Sequence, residues 1–153
     1  MTKLRVIFIL TLLVGSYSAC KTAKEQTVPS TIELKRLGCY GTCPIYTFTL
    51  NSEGEAKFEG ERFTEKLGSW EKQFDETELR PLWDLVSEKD WSLYDDEYPS
   101  NVSDLPATVL SIKMKRKVKM IYIQGEHPKA LDDISNVLIM LAESPGWENL
   151  NIQ

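Results

Sequence analysis

The sequence predicts an α+β fold, a two-layer sandwich in which an antiparallel sheet of two hairpins plus a strand carries two helices on one face. Two observations predict it. Paired stretches of strict apolar–polar alternation recur twice, and two other stretches repeat their apolar residues at helical spacing. Their order is hairpin, strand, helix, hairpin, helix, with connections short enough for one domain over residues 32–153.

The chain opens MTKLRVIFILTLLVGSYSAC. Cations at Lys3 and Arg5, an apolar run and then small residues are the layout of a secretion signal over residues 1–19. The run is too short to cross a hydrocarbon core, which needs about 20 apolar residues. Ser18-Ala19-Cys20 resembles the end of a bacterial lipobox, with Tyr17 standing where an aliphatic residue is usual. That resemblance implies cleavage before Cys20, a diacylglyceryl group on its sulfur and an acylated (palmitate-type) amino terminus. An unpaired exposed thiol in an oxidising compartment is a liability, and two or more acyl chains hold a membrane firmly. Residues 20–31 are polar and without period, which predicts a flexible tether between lipid and domain. By analogy with enterobacterial lipoproteins, Lys21 rather than aspartate after the lipid cysteine is compatible with outer-membrane sorting.

Within the domain, residues 45–50 alternate, with Tyr46, Phe48 and Leu50 on one side and Thr47 and Thr49 on the other. Ser52-Glu53-Gly54 then makes a three-residue hairpin loop, setting Leu50 opposite Ala56 and Phe48 opposite Phe58. Residues 70–74 are the third strand. Asp75 and Glu78 have capping-box spacing, and Leu79, Leu82, Trp83 and Val86 form the buried face of the helix that follows. Pro81 predicts an irregular first turn or a start at Pro81 itself. Residues 91–105 have no period and read as the longest loop. Residues 107–114 and 118–124 form the second hairpin, with Lys115-Arg116-Lys117 at its tip, Met114 facing Val118, Ile112 facing Met120 and Leu110 facing Tyr122. Pro128 opens the last helix, which buries Leu131, Ile134, Leu138 and Leu141 and stops at Pro145-Gly146.

The full chain has a net charge of −5, and loss of Lys3 and Arg5 with the signal leaves −7. That argues against nucleic acid as a partner and against electrostatic attraction to anionic lipid. One histidine and no G-x-S-x-G motif leave no recognisable hydrolase constellation, so no enzymatic activity and no cofactor are expected. Asp95, Asp96, Glu97 and Asp104 crowd the long loop and could ligate Ca²⁺, but without EF-hand spacing they read better as a solvated acidic loop. Lys113, Lys115, Arg116, Lys117 and Lys119 crowd the second hairpin, where they could hold an anionic ligand or an acidic partner, and they suit better an edge that repels strand addition.

With Cys20 assigned to lipid, Cys39 and Cys43 remain as an even pair in a compartment where disulfides persist. In a straight strand their Cα atoms would lie about 13 Å apart, and a disulfide wants about 4.4–6.8 Å. Gly38, Gly41 and Pro44 equip the segment to turn, so the first reading is a local staple at the entrance to the first hairpin. The second is metal or redox chemistry. C-x-x-x-C-P with a downstream histidine resembles the copper motif of thioredoxin-fold chaperones, which would make Cys39, Cys43 and His127 a Cu(I) site. There the motif opens onto a helix, whereas residues 45–50 alternate as a strand. His127 before Pro128 also suits an ordinary helix-start residue.

Cys39-Tyr40-Gly41-Thr42-Cys43-Pro44 with Tyr46 resembles the C-[YF]-G-x-C-P-x-Y signature of an uncharacterised domain family of secreted proteins and lipoproteins from Bacteroidetes-type bacteria. The likeness runs from Ile32 to Trp147, including the closing Pro145-Gly146-Trp147. It implies a shared fold and export, and no reaction. The expected protein is a lipid-anchored cell-envelope module that binds an envelope protein or a small ligand. The alternative is a periplasmic thiol-redox or copper protein.

Overall fold

The computed structural model describes residues 29–102 and 104–150. The expected signal at residues 1–19, the lipid site Cys20 and the tether to residue 28 lie outside the described residues.

Among the described residues, eight strands and two helices follow in the order β1 (Thr31–Arg36), β2 (Ile45–Asn51), β3 (Glu55–Arg62), β4 (Gly68–Gln73), α1 (Glu76–Ser87), β5 (Glu97–Tyr98), β6 (Thr108–Met114), β7 (Lys117–Ile123), α2 (Lys129–Glu143) and β8 (Glu148–Asn149). They form one α+β unit around an open sheet ordered β5-β7-β6-β1-β2-β3-β4-β8. Every neighbouring pair is antiparallel except β5 with β7.

The sheet exceeds the predicted two hairpins plus a strand by β1, β5 and β8. β1 is the most consequential of these. It joins the two hairpins, pairing Leu34 with Phe48 on one side and with Leu110 on the other. Ile32 and Leu34 are fully buried, which places the start of the fold in the core. Ahead of it, the Ser30 amide donates to the Lys113 carbonyl at 2.8 Å.

The first hairpin has the predicted register, Leu50 to Ala56 and Phe48 to Phe58. Gly54 takes a positive φ of 87° in its three-residue loop, a conformation that costs glycine little. The Asn51 side-chain oxygen accepts from the Glu53 and Glu55 amides at 3.0 Å each, fixing that loop from within.

The second hairpin departs from its predicted register by one residue. Met114 pairs with Lys117, Ile112 with Lys119 and Leu110 with Ile121, around a two-residue turn in which Lys115 has φ 52°. Since strand side chains alternate, that slip reverses the faces. Ile121 and Ile123 are buried, and Val118 and Met120 are exposed at 60% and 58%.

Asp75 caps α1 with a full capping box. Its side chain accepts from the Glu78 amide while the Glu78 carboxylate accepts from the Asp75 amide. The helix therefore starts at Glu76 and carries Pro81 inside it, not at its start. α2 has Pro128 at its N-cap and buries Leu131, Ile134, Leu138 and Ala142, with Ala142 in the place expected of Leu141. The long loop contains a turn of 3-10 helix, Trp91–Leu93, and β5. The buried residues of the sheet and of both helices form one core cluster, with Trp147 packed edge-on against Phe48, Phe58 and Phe74.

Candidate functional site

The segment between β1 and β2, residues 37–44, turns back on itself because its ends are strands that pair with each other. Cys39 and Cys43 are joined as a disulfide with their Cα atoms 5.6 Å apart, and the Gly41 amide donates to Cys39 Sγ at 3.3 Å. The five-residue ring holds the Tyr40 side chain out in solvent, 93% exposed. The Leu37 amide donates to the Ala107 carbonyl at 2.8 Å, tying the base of this loop to the start of β6.

Strand register places other loops at the same end. Arg36 pairs with Tyr46, Tyr46 with Gly60, and Gly60 with Gly68, so residues 63–67 lie beside the disulfide ring. That connection is sharply bent. A Cβ on Gly60 would collide with the Lys66 carbonyl oxygen, and Phe63 sits at φ 56°, rare for a side chain of its size. Phe63 and Leu67 are exposed there, as are Val102 and Leu105 in the loop leading to β6. Four large apolar side chains and Tyr40 thus project from adjoining loops at one end of the sheet.

Behind the ring sits Tyr46, 3% exposed and stacked on Phe58 with ring centroids 4.7 Å apart. Burial pushes its hydroxyl up to about 12, with Arg36 pulling the other way and Glu143 adding to the rise. The hydroxyl has no hydrogen-bond partner among the described residues, and neither do Arg36 Nε and Trp147 Nε1.

His127 is committed elsewhere. Its Nδ1 is 2.6 Å from the Gly125 carbonyl oxygen and its Nε2 is 2.9 Å from an Asp132 carboxylate oxygen. Burial lowers its pKa, but the hydrogen bonds to Gly125 and Asp132 and the Asp132 charge outweigh that and raise it above the usual histidine value. His127 stands immediately before the N-cap Pro128, at the start of α2, where its side chain clasps Asp132 of the first turn and the Gly125 carbonyl without capping the helix. Of the three residues in the copper reading, the structure brings together Cys39 and Cys43, as a disulfide. Among the described residues no group of three histidine, cysteine, aspartate or glutamate side chains is placed to hold a metal.

The acidic and basic clusters also have definite places. Lys119 Nζ binds the Tyr94 carbonyl oxygen and the Asp96 carboxylate, so one acid of the long loop and one cation of the second hairpin neutralise each other. On the sheet face away from the core, a shallow groove of about 770 Å³ is lined by Thr31, Thr49, Asn51, Lys57, Glu71 and Gln73.

Fold and site together define a small α+β domain on an open, mostly antiparallel sheet, one loop end of which is stapled by a disulfide. The chain belongs to the family DUF6438, a domain of unknown function, which it matches over residues 30–142. That match begins just before β1 and stops short of Pro145-Gly146-Trp147. No curated protein matches the chain.

The apolar loop tips were not singled out in the sequence, apart from Tyr40 within its motif. Phe63 and Leu67 stand among charged residues with no period around them. The available signal is that an aromatic residue sits in a five-residue connection that has no core position to fill.

Proposed function

We propose that this protein is a lipid-anchored component of the bacterial cell envelope, attached at Cys20 to the outer membrane, and that it is a non-enzymatic interaction module. Cys39-Tyr40-Gly41-Thr42-Cys43-Pro44 with Tyr46 is read as the signature of an exported bacterial family. The body of the module is the sandwich of sheet and helices.

The observation that carries this reading is the direction of β1. Thr31 pairs with Asn51 and Lys113 at one end of the sheet, and Arg36 pairs with Tyr46 and Thr108 at the other. The chain arrives from Cys20 at the first end, and the disulfide-stapled loop with Tyr40 leaves the second. A tether of residues 20–30 reaches at most about 36 Å when extended. In this reading the apolar tips lie at the end of the sheet remote from the tether, free to reach away from the lipid. Projecting tips suit a protein surface, because small ligands are held in concave sites. The partner in this reading is another envelope protein.

A photo-cross-linking residue placed at Tyr40, compared with one at the exposed Met140 of α2, tests the reading in intact envelopes. One discrete adduct from position 40, absent from position 140, is expected. No adduct from position 40, or the same adducts from both, contradicts it.

A further inference from the structure

The outer edge of β7 is a second, independent surface. β5 pairs with β7 only at Tyr122 and Ile123. The Tyr122 amide donates outward to the Asp96 carbonyl and the Gln124 amide to the Tyr98 carbonyl. Backbone groups alternate in direction along a strand, so the amides and carbonyls of Val118 and Met120 point to the same outer edge, where no strand of the described residues pairs with them.

The side chains of this free edge have a definite pattern. Val118 and Met120 are both exposed on the sheet face away from the core. Lys117 and Lys119 alternate with them on the other face, and Lys119 is taken by Asp96. Lys113, Lys115 and Arg116 lie exposed beside Lys117. None of these four cations is in an ion pair among the described residues. No acid occurs between Asp104 and Glu126, although the chain as a whole is acidic. Lysines on an edge repel a second copy, which would bring the same cations opposite them. Two exposed apolar side chains on the same edge do not serve that end.

We propose that the β7 edge is a strand-addition site for an extended peptide segment of a partner protein in which acidic and apolar residues alternate. The backbone of that segment pairs with Val118 and Met120, its apolar side chains lie against theirs, and its acids meet Lys117 and the cations of the turn. Main-chain bonds supply affinity, and the alternation supplies selectivity and register.

The test uses the full-length protein in detergent and a fluorescent nine-residue peptide alternating valine and glutamate. Comparators are the same peptide with lysine in place of glutamate, and the acidic peptide N-methylated at alternate residues so that its charge stays and its strand pairing is lost. The acidic peptide is expected to bind, to shift the amide resonances of Val118 and Met120, and to weaken as salt rises. Affinity for the lysine peptide should be lower by about tenfold or more. The N-methylated peptide should not bind, and Lys117→Glu should weaken the acidic peptide by about fivefold. Equal binding of the N-methylated or the lysine peptide overturns the proposal, as does absence of binding at millimolar acidic peptide or occupation of the edge by a second copy in sedimentation.

Discussion

Arg36 and Tyr46 pair across β1 and β2, at the end of the strands joined by the disulfide loop, and neither Arg36 Nε nor the Tyr46 hydroxyl has a hydrogen-bond partner among the described residues. A buried polar group without a partner costs about 1–3 kcal/mol. Tyr46→Phe keeps the stack on Phe58 and removes the hydroxyl. It should raise stability by about 1 kcal/mol in urea unfolding, and a loss of that size would contradict this assignment.

The same substitution has a pH signature. A folded pKa raised to about 12 means that the native state keeps its proton where the unfolded chain has lost it. Stability from this group is present below the unfolded value of about 10 and falls as pH rises from there toward the folded value. Tyr46→Phe should flatten that alkaline decline. Equal slopes in both proteins would show that Tyr46 does not carry it.

The staple is a modest contributor. Closing a five-residue ring is worth about 2 kcal/mol in the loop-entropy model. Cys39→Ser with Cys43→Ser should lower stability by about that amount or less and leave the circular dichroism unchanged. Mass spectrometry of the protein purified without reductant should find Cys39 and Cys43 joined, and free thiols at both positions would contradict the structure.

His127 gives a pH dependence near neutrality. Its folded pKa is raised by Gly125 and Asp132 against the opposing effect of burial. Its contribution is therefore complete below the unfolded value of about 6.5 and is lost as pH rises through the folded value. Wild-type stability should fall as pH rises from about 6.5 through the raised folded value, and His127→Gln should show a flatter profile. A steeper profile in the variant would reverse the sign and exclude the clasp.

The register of the second hairpin is tested by two truncations. Ile121 is fully buried and Met120 is not. Ile121→Ala should cost about 2–5 kcal/mol, and Met120→Ala about 0.5 kcal/mol or less. The opposite ranking would restore the register with Ile112 facing Met120.

That hairpin also shows where sequence reasoning reaches its limit. Both faces of β7 are apolar in part, Val118, Met120 and Tyr122 on one and Ile121 and Ile123 on the other. Alternation could not choose between them, and Lys115-Arg116 contains no glycine or asparagine to announce a two-residue turn. The first hairpin was legible because Gly54 fixes its loop and Tyr46, Phe48 and Leu50 load one face alone. β1 was missed because Ile32 and Leu34 are only two apolar residues among charges, and its central place comes from neighbours distant in sequence. β5 and β8 have two residues each, too few to show a period. At the candidate site, the Cys39–Cys43 pair was legible from spacing and flanking glycines. The grouping of Tyr40 with Phe63, Leu67, Val102 and Leu105 was not, because only strand pairing brings those loops to one end.

The central claim is attachment to the envelope by lipid at Cys20, and metabolic labelling with a palmitate analogue tests it most directly. Wild-type protein should carry the label and sediment with membranes, and Cys20→Ala should carry none while retaining the folded domain. Equal labelling of the two proteins, or no label on the wild type, would contradict the account.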